Sequence, residues 1–428
     1  MQTRLSKIAA IGLAALMAGV GAVHAENIVV TGVSSFKLIE DLLPEFEEQS
    51  GIDVDLQILP YPQLRQNSMA DLVGGTANSD VYMQDITWLG EWATNGYVRP
   101  LDDLIERDSA EVDLDDILPG AFDSLSKWDG KTWSMPFGAY YFLMYYRSDL
   151  FDKAGIAPPK TFADITAAAD KLTDPSANLW GIAMPYRRGT PIASWFLATY
   201  TGAGGRLLPD APQDFTPSLD TPLALDTLTA YLKWLEDAPS GAIDYHWNDQ
   251  TVAMQTGRIA MAGTFSINGT EFAKPDVSLV SDAIGYTYMP VAKEGDPNTI
   301  PFGGWAVAIN ANTDKVEPAW KFIKWVSSPD VQRRLGALNG TPMRSSAMSD
   351  PDLQKMYPWL PFILDAEEAG IVYPDYRPRY PFYPKVEEAL GLELNRAALG
   401  EITAEEALSN AQSEIKKIIS DAGYPVKG

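Results

Sequence analysis

The chain contains no cysteine. That absence removes disulfides, thiol nucleophiles and cysteine-ligated zinc together. Histidine is almost as scarce, with 2 in 428 residues, His24 and His246. A hydrolase triad needs a histidine beside its nucleophile, and no Gly-x-Ser-x-Gly elbow is present. Basic residues are outnumbered 33 to 57, for a formal net charge of −24. Such a surface repels nucleic acid and anionic lipid, so neither is expected as a partner. The glycine-rich stretches TGAGG (201–205) and PFGGW (301–305) lack the Gly-x-Gly-x-x-Gly frame and a following Lys-Ser/Thr, which argues against a nucleotide site. No cofactor and no metal site are therefore expected. Beyond residue 25 no apolar run approaches the roughly 20 residues that a membrane span requires.

Other features are plentiful. Arg4 and Lys7 precede an apolar stretch at 8–23, and Val23-His24-Ala25 gives a small-x-small pattern. This is the grammar of a secretory signal peptide over 1–25, with the mature chain starting at Glu26. No cysteine follows to carry a lipid, so a periplasmic protein without a lipid anchor is expected. Without Arg4 and Lys7, 31 basic residues face 57 acidic ones, a net charge of −26, and His246 is the one histidine left. Aromatic residues are abundant, with 12 Trp, 19 Tyr and 15 Phe.

Strand-like and helix-like segments alternate along the chain. NIVVTGVSSF is an apolar strand, and a helix is expected from about Lys37 to Gln49, with Pro44 as a kink. IDVDLQIL alternates strictly, placing Ile52, Val54, Leu56 and Ile58 on one face. A helix at 63–72, a strand at SDVYM and a helix from Ile86 to Thr94 continue the pattern, which predicts a parallel α/β sheet. WDGKTW reads as an Asp-Gly hairpin and YYFLMYY as a strand. Thr161 caps a helix striped by Phe162, Ile165, Ala169 and Leu172. Trp180 to Met184 and RIAMA read as strands, and Pro222 to Leu235 as a helix striped by Leu225, Leu228, Leu232 and Leu235. Thr403 and Glu406 make a capping box for a last helix. In PFGGWAVAI (301–309), Trp305, Val307 and Ile309 alternate, while the two glycines mark a close approach or bend at the strand's head. At 428 residues two lobes are expected, and no linker separates them.

Chemistry sits on segments that follow strands, where ligands of α/β sheets bind. MQDITWLGEW carries Asp85 and Trp88, and PFGAYYF carries Tyr140 and Tyr141. PYRRGTPIASW carries Arg187, Arg188 and Trp195, and GTFSING carries Phe265, Ser266 and Asn268. PFGGW, GTPMR (340–344) and YRPRYPFY (376–383) complete the set. Aromatic faces and planar charged groups together suit sugars, whose C–H faces stack and whose hydroxyls need such partners. Taken singly, each residue has a bland reading. Trp88, Trp92 and Trp195 suit a core, Arg188 or Arg344 a surface ion pair, and His246 a packed side chain.

The series LLPEFEEQSGIDVDLQ, SDVYMQDITWLGEWATNGYVRPLDDLI, PFGAYYFLMYYRSDLFDKAGI, PFGGWAVAIN, SSPDVQRRLGALNGTPMRSSA and RPRYPFYPKVEEALGLELNRAALGEITAEEAL resembles the extracellular solute-binding proteins of ABC importers. The resemblance is to family 1, the carbohydrate binders that include maltose- and trehalose-binding proteins, and it runs over nearly the whole mature chain. It implies a type II periplasmic binding fold: α/β, two lobes, three hinge crossings and a ligand cleft between the lobes. The crossings put lobe 1 at 26–137 and 288–338, and lobe 2 at 138–287 and 339–428, with hinges near Phe137, Pro290 and Asn339. Such a protein is a monomer without catalytic activity that captures a carbohydrate and delivers it to the importer's permease subunits.

Carried over position by position, the resemblance makes Arg65 a donor to hydroxyls and Asp85 their bidentate acceptor. Tyr140 becomes a contact after the first crossing, and Phe265 a stacking ring where relatives often have Trp. Gly304 and Trp305 line the cleft, and Arg377 is its late arginine. Arg188 is assigned to the ligand as well. The first loop departs from the pattern, because Gly32-Val33-Ser34-Ser35 stands where several disaccharide binders have an acid. The acceptor for one sugar ring is thereby left open, with Ser35 counted among the ligand-binding residues, and a monosaccharide, polyol or differently linked oligosaccharide stays open. So does a secreted glycosidase, which needs only two carboxylates. A glycerophosphodiester held by Arg65, Arg188 and Arg377 is a third possibility, and a polyamine suits this arginine-rich set less well.

Overall fold

The structure, a computed structural model, describes residues 26–427, and the expected leader at 1–25 lies outside them. Strands β1 (Glu26–Gly32), β2 (Ile52–Ile58) and β3 (Val81–Asp85) run parallel in the order β2-β1-β3. In β2 the apolar positions turn inward and Asp53, Asp55 and Gln57 are exposed, as the alternation predicts. The single helix expected at 37–49 is divided. A 3-10 turn, Ser34–Ile39, precedes helix α1 (Leu43–Ser50), and Pro44 stands in the first turn of α1, where its missing N–H removes no hydrogen bond. Helix α2 (Tyr61–Gly74) begins two residues earlier than expected.

Two long strands then tie the molecule together. The first half of β4 (Met135–Arg147) pairs antiparallel with β7 (Ile300–Ile309), through Met135–Tyr141 and with a bulge at Phe137. From Phe142 onward its partners are β5 (Met261–Phe265) and β6 (Ile284–Tyr288). Strand β7 pairs with β3 through Trp305–Ile309, and with the short β8 (Val372–Tyr373) through Ile300–Pro301. The result is a curled sheet of 8 strands. It is mixed, not parallel throughout, because β7 returns into it antiparallel. The glycines of PFGGW lie inside this ladder and do not form a bend ahead of it.

Two hydrophobic cores flank the crossing strands and make two lobes. One gathers Ile28, Val30, Met83, Val307 and Phe322 and extends under β4 to Tyr145. The other gathers Ile165, Phe196, Tyr231 and Trp234 with Leu390 and Ile415. The second core includes helices α3 (Thr190–Gly202), α6 (Tyr383–Ala398) and α7 (Ala404–Asp421). Two further helices, α4 (Trp247–Gln255) and α5 (Ser266–Ala273), lie beside the crossing. The caps at Thr161 and Thr403 form as predicted, each a reciprocal box. The hairpin turn takes positive φ at Asp129 and Gly130, the pairing that an Asp-Gly type I′ turn requires.

Three local expectations fail. Trp180–Met184 is no strand: Trp180 alone bridges to Ile259. The next residue, Gly181, sits so close to Ala169 that a Cβ would come within 2.3 Å of that helix backbone, so helix packing sets this path. The RIAMA strand is shifted, since β5 begins at Met261 and carries Phe265 as its last residue. The helix Pro222–Lys233 buries Ala224, Thr227, Leu228 and Tyr231, and leaves Leu225 and Leu232 half-buried. No helix among the described residues is long and apolar enough to cross a membrane.

Candidate functional site

A cleft of about 1180 Å3 lies between the lobes. Strand register builds its floor. Asp85 pairs with Trp305, and Gly303 pairs with Tyr140. Cross-strand partners share a face and alternate residues repeat it, so Asp85, Trp305, Gly303 and Tyr140 all look into the cleft. A Cβ on Gly303 would lie 3.5 Å from the Tyr376 hydroxyl, 3.7 Å from the Phe265 ring and 3.8 Å from Arg377 Nη2. The missing side chain therefore enlarges the chamber. Gly304, the expected cleft glycine, faces the other way, its Cβ position 2.4 Å from the Gly138 carbonyl oxygen. It borders the cleft through backbone only, and its smallness serves strand packing.

The charged cluster comes from distant parts of the chain. Asp85 Oδ1 accepts from the Thr87 amide at 2.8 Å and the Thr87 hydroxyl at 2.7 Å. Arg377 Nη2 lies 3.5 Å from the same oxygen, and Arg377 Nη1 lies 3.8 Å from Glu387 Oε1. Glu387, on α6, accepts from Thr190 at 2.8 Å and from Tyr383 at 3.2 Å. Arg377 is 7% exposed, yet its Nε has no partner among the described residues. Burial works against its charge, but Asp85 and Glu387 hold its pKa well above the ordinary arginine value. Burial also raises the pKa of Glu387, against the pull of Arg377.

Two hydroxyls are orphaned in the same wall. Ser35 Oγ and Tyr140 Oη are buried without a partner of good geometry. Burial pushes Tyr140 up to about 12, with Ser35 nearby acting in the opposite sense. Each buried polar group left unpaired costs about 1–3 kcal/mol, so this wall is poised to receive hydrogen bonds.

Aromatic rings form a belt across both lobes. Trp305 stands edge-on to Tyr61 at 5.9 Å and to Trp88 at 5.8 Å. Tyr61 meets Trp247 of the other lobe at 6.2 Å, and Trp247 stacks on Trp195 at 5.9 Å. Phe265 abuts Trp195 at 5.4 Å. Trp88 and Trp92 are core residues, as their bland reading has it, whereas Trp195 reaches the cleft. His246 lines the cleft too, its pKa pushed down to about 4 by burial and by Arg187.

Two expected residues stand elsewhere. Arg65 bonds Glu91 and lies over the Trp88 ring at 5.3 Å, outside the cleft lining. Because α2 starts early, Tyr61 in its first turn takes the cleft position and Arg65 falls a turn behind. Arg188 is outside the lining, and Arg187 is the member of the pair inside it. The GTPMR loop supplies no arginine to the cleft. Arg344 is fully buried and donates to the carbonyls of Ser327, Val112 and Asp113 at 2.6, 2.7 and 3.0 Å. Sequence reasoning missed Gly303, Tyr61, Trp247 and Glu387. An aromatic flanked by prolines after a strand was the one available signal for Tyr61. Among the described residues no three His, Asp or Glu side chains gather as a metal site.

Two α/β lobes joined by crossing strands over a buried, partly unpaired polar chamber define a ligand-capturing fold. The profile of the bacterial extracellular solute-binding proteins matches residues 32–333, and the chain belongs to that family. An ABC-transporter solute-binding protein from Agrobacterium radiobacter, crystallised with ribitol, is 34% identical with a TM-score of 0.85, covering 92% of this chain and 98% of that one. The mannitol-binding protein of Pseudomonas aeruginosa is 25% identical over 94% of this chain and 95% of its own length. A Sinorhizobium fredii protein described as a probable amino-acid ABC transporter periplasmic-binding protein is 24% identical over 91% of this chain and 88% of its own.

Proposed function

We propose that this protein is the secreted binding component of an ABC importer for an uncharged polyhydroxylated solute, a polyol or sugar. The carrying observation is Arg377, buried and carboxylate-flanked but with an unpartnered Nε, beside the orphaned Ser35 and Tyr140 hydroxyls. Arg377 donates to ligand hydroxyls and Asp85 Oδ2 accepts from them, while Trp305 and Phe265 cover the C–H faces. The charge around the cleft disfavours an anionic ligand. Asp85, Asp249 and Glu271 line the cleft against Arg187 and Arg377. His246, at about 4, is neutral at neutral pH. A phosphodiester or a free amino-acid carboxylate needs a spare cation, and Arg377 already faces two carboxylates. The ribitol and mannitol relatives support the same ligand class.

The working cycle is capture, lobe closure and delivery to the permease, a ligand-driven population shift and not catalysis. In it the lobes are 26–137 with 288–338 and 138–287 with 339–428. The protein acts as a monomer in the periplasm after cleavage following Ala25. Thermal shift against a panel of polyols, sugars, amino acids and phosphodiesters tests this, with product analysis alongside. A neutral polyol or sugar that raises Tm without turnover supports the reading; at a hundredfold excess over Kd a ligand adds about 2.7 kcal/mol. Turnover, or a response to charged ligands alone, refutes it.

A further inference from the structure

Arg377 is held only loosely by its own partners. Its guanidinium nitrogens lie 3.5 Å from Asp85 and 3.8 Å from Glu387, beyond the roughly 2.7–2.9 Å of a strong charge-assisted hydrogen bond. Its Nε has no partner among the described residues. A long side chain with that freedom is placed by the backbone that carries it. Two residues further on, that backbone is fastened tightly.

Arg379 Nε donates to Asp375 Oδ1 at 2.9 Å, an ion pair that closes the loop 375–379 around Arg377. Arg379 Nη1 donates to the carbonyl oxygens of Ser124 at 2.9 Å and Asp123 at 3.2 Å. These belong to the last turn of the helix Pro119–Ser126, whose unpaired oxygens and negative dipole end favour a cation. The Arg379 carbonyl oxygen rests on the helix Leu89–Thr94, where a Cβ on Gly90 would collide with it. That helix follows directly on the turn that Asp85 caps. The segments carrying Asp85 and Arg377 are therefore pressed together twice, once inside the cleft and once outside it. Tyr380 adds an edge-on contact with Trp128 at 5.3 Å. Asp375, Arg379 and Tyr380 all stand outside the cleft lining.

We infer that Asp375 and Arg379 form a clamp that positions Arg377 against Asp85, and so sets the affinity for the solute without touching it. This rests on the proposed function and names positioning residues for its site. Ribitol, D-mannitol, maltose and trehalose are titrated calorimetrically into the wild-type protein, and the tightest binder is carried to variants that circular dichroism shows to be folded. Arg379→Gln should weaken binding about tenfold, and Asp375→Asn should do the same. The double variant should be no more than about threefold weaker than Arg379→Gln alone, because both substitutions open one clamp. A Kd within about twofold of wild type for the single variants, even with a lowered Tm, makes Arg379 a structural staple and overturns the inference. A double variant weakened by the full product, about a hundredfold, overturns the clamp. Should Arg379→Gln fail to fold, the same limits apply to Asp375→Asn, whose side chain is only half-buried. A wild-type protein that binds none of the four overturns this inference, and the wider panel above then judges the proposed function.

Discussion

Replacing Asp85 with Asn isolates the acceptor role of one oxygen. The amide oxygen can keep the two Thr87 hydrogen bonds that Oδ1 now accepts, at 2.8 and 2.7 Å. The turn after β3 is therefore preserved. What changes is the Oδ2 position, where an NH2 donor replaces an anionic acceptor facing the ligand. Arg377 loses one neighbouring charge and retains Glu387 at 3.8 Å. A hydrogen bond to a charged group is worth about 1.5–3 kcal/mol, so affinity should fall about 10- to 100-fold. Calorimetry with whichever polyol or sugar gives the largest thermal shift reads this directly. Asp85→Ala should lose as much affinity and also about 1 kcal/mol of stability, because the cap disappears. A Kd for Asp85→Asn within about twofold of wild type would refute the role given to this carboxylate.

The two glycines of β7 make opposite predictions. Gly304→Ala forces a Cβ to within 2.4 Å of a backbone oxygen and should cost about 3 kcal/mol in a denaturant titration. Gly303→Ala meets nothing closer than 3.5 Å; its stability should hold within about 1 kcal/mol, while the methyl group in the chamber weakens binding about tenfold or more. Acid should act through His246. Its folded pKa of about 4 lies below the ordinary 6.5, so its stabilising effect is complete above pH 6.5 and lost as pH falls through 4. With the ring partly exposed, His246→Gln should remove about 1 kcal/mol of that dependence in melts across this window. Glu367 has the opposite sign. Burial raises its pKa against the hydrogen bond from Tyr141, 2.8 Å long. Its contribution is therefore full below the ordinary carboxyl pKa and declines as pH rises through the elevated value, and Glu367→Gln should flatten that decline.

Local patterns were legible wherever one residue's chemistry decides the outcome. The alternation of β2, the Asp-Gly turn and the boxes at Thr161 and Thr403 needed no tertiary partner to be read. The strand and helix order, with the family motifs, pointed to a two-lobed cleft fold. Asp85, Tyr140, Trp305, Ser35, Phe265 and Arg377 were marked as cleft candidates on that basis, and the structure gathers them around one cleft. Only the tertiary structure decided which side of a strand each glycine faces, because Gly303 and Gly304 differ by a register that pairing with β4 sets. Likewise, Arg65 and Arg188 were assigned to the ligand from the sequence. The Arg65 guanidinium goes to Glu91, 26 positions away, and Arg188 lies outside the cleft lining, which its neighbour Arg187 joins instead. Charge and shape are properties of a residue; whether a charge is already satisfied depends on neighbours that folding alone brings near.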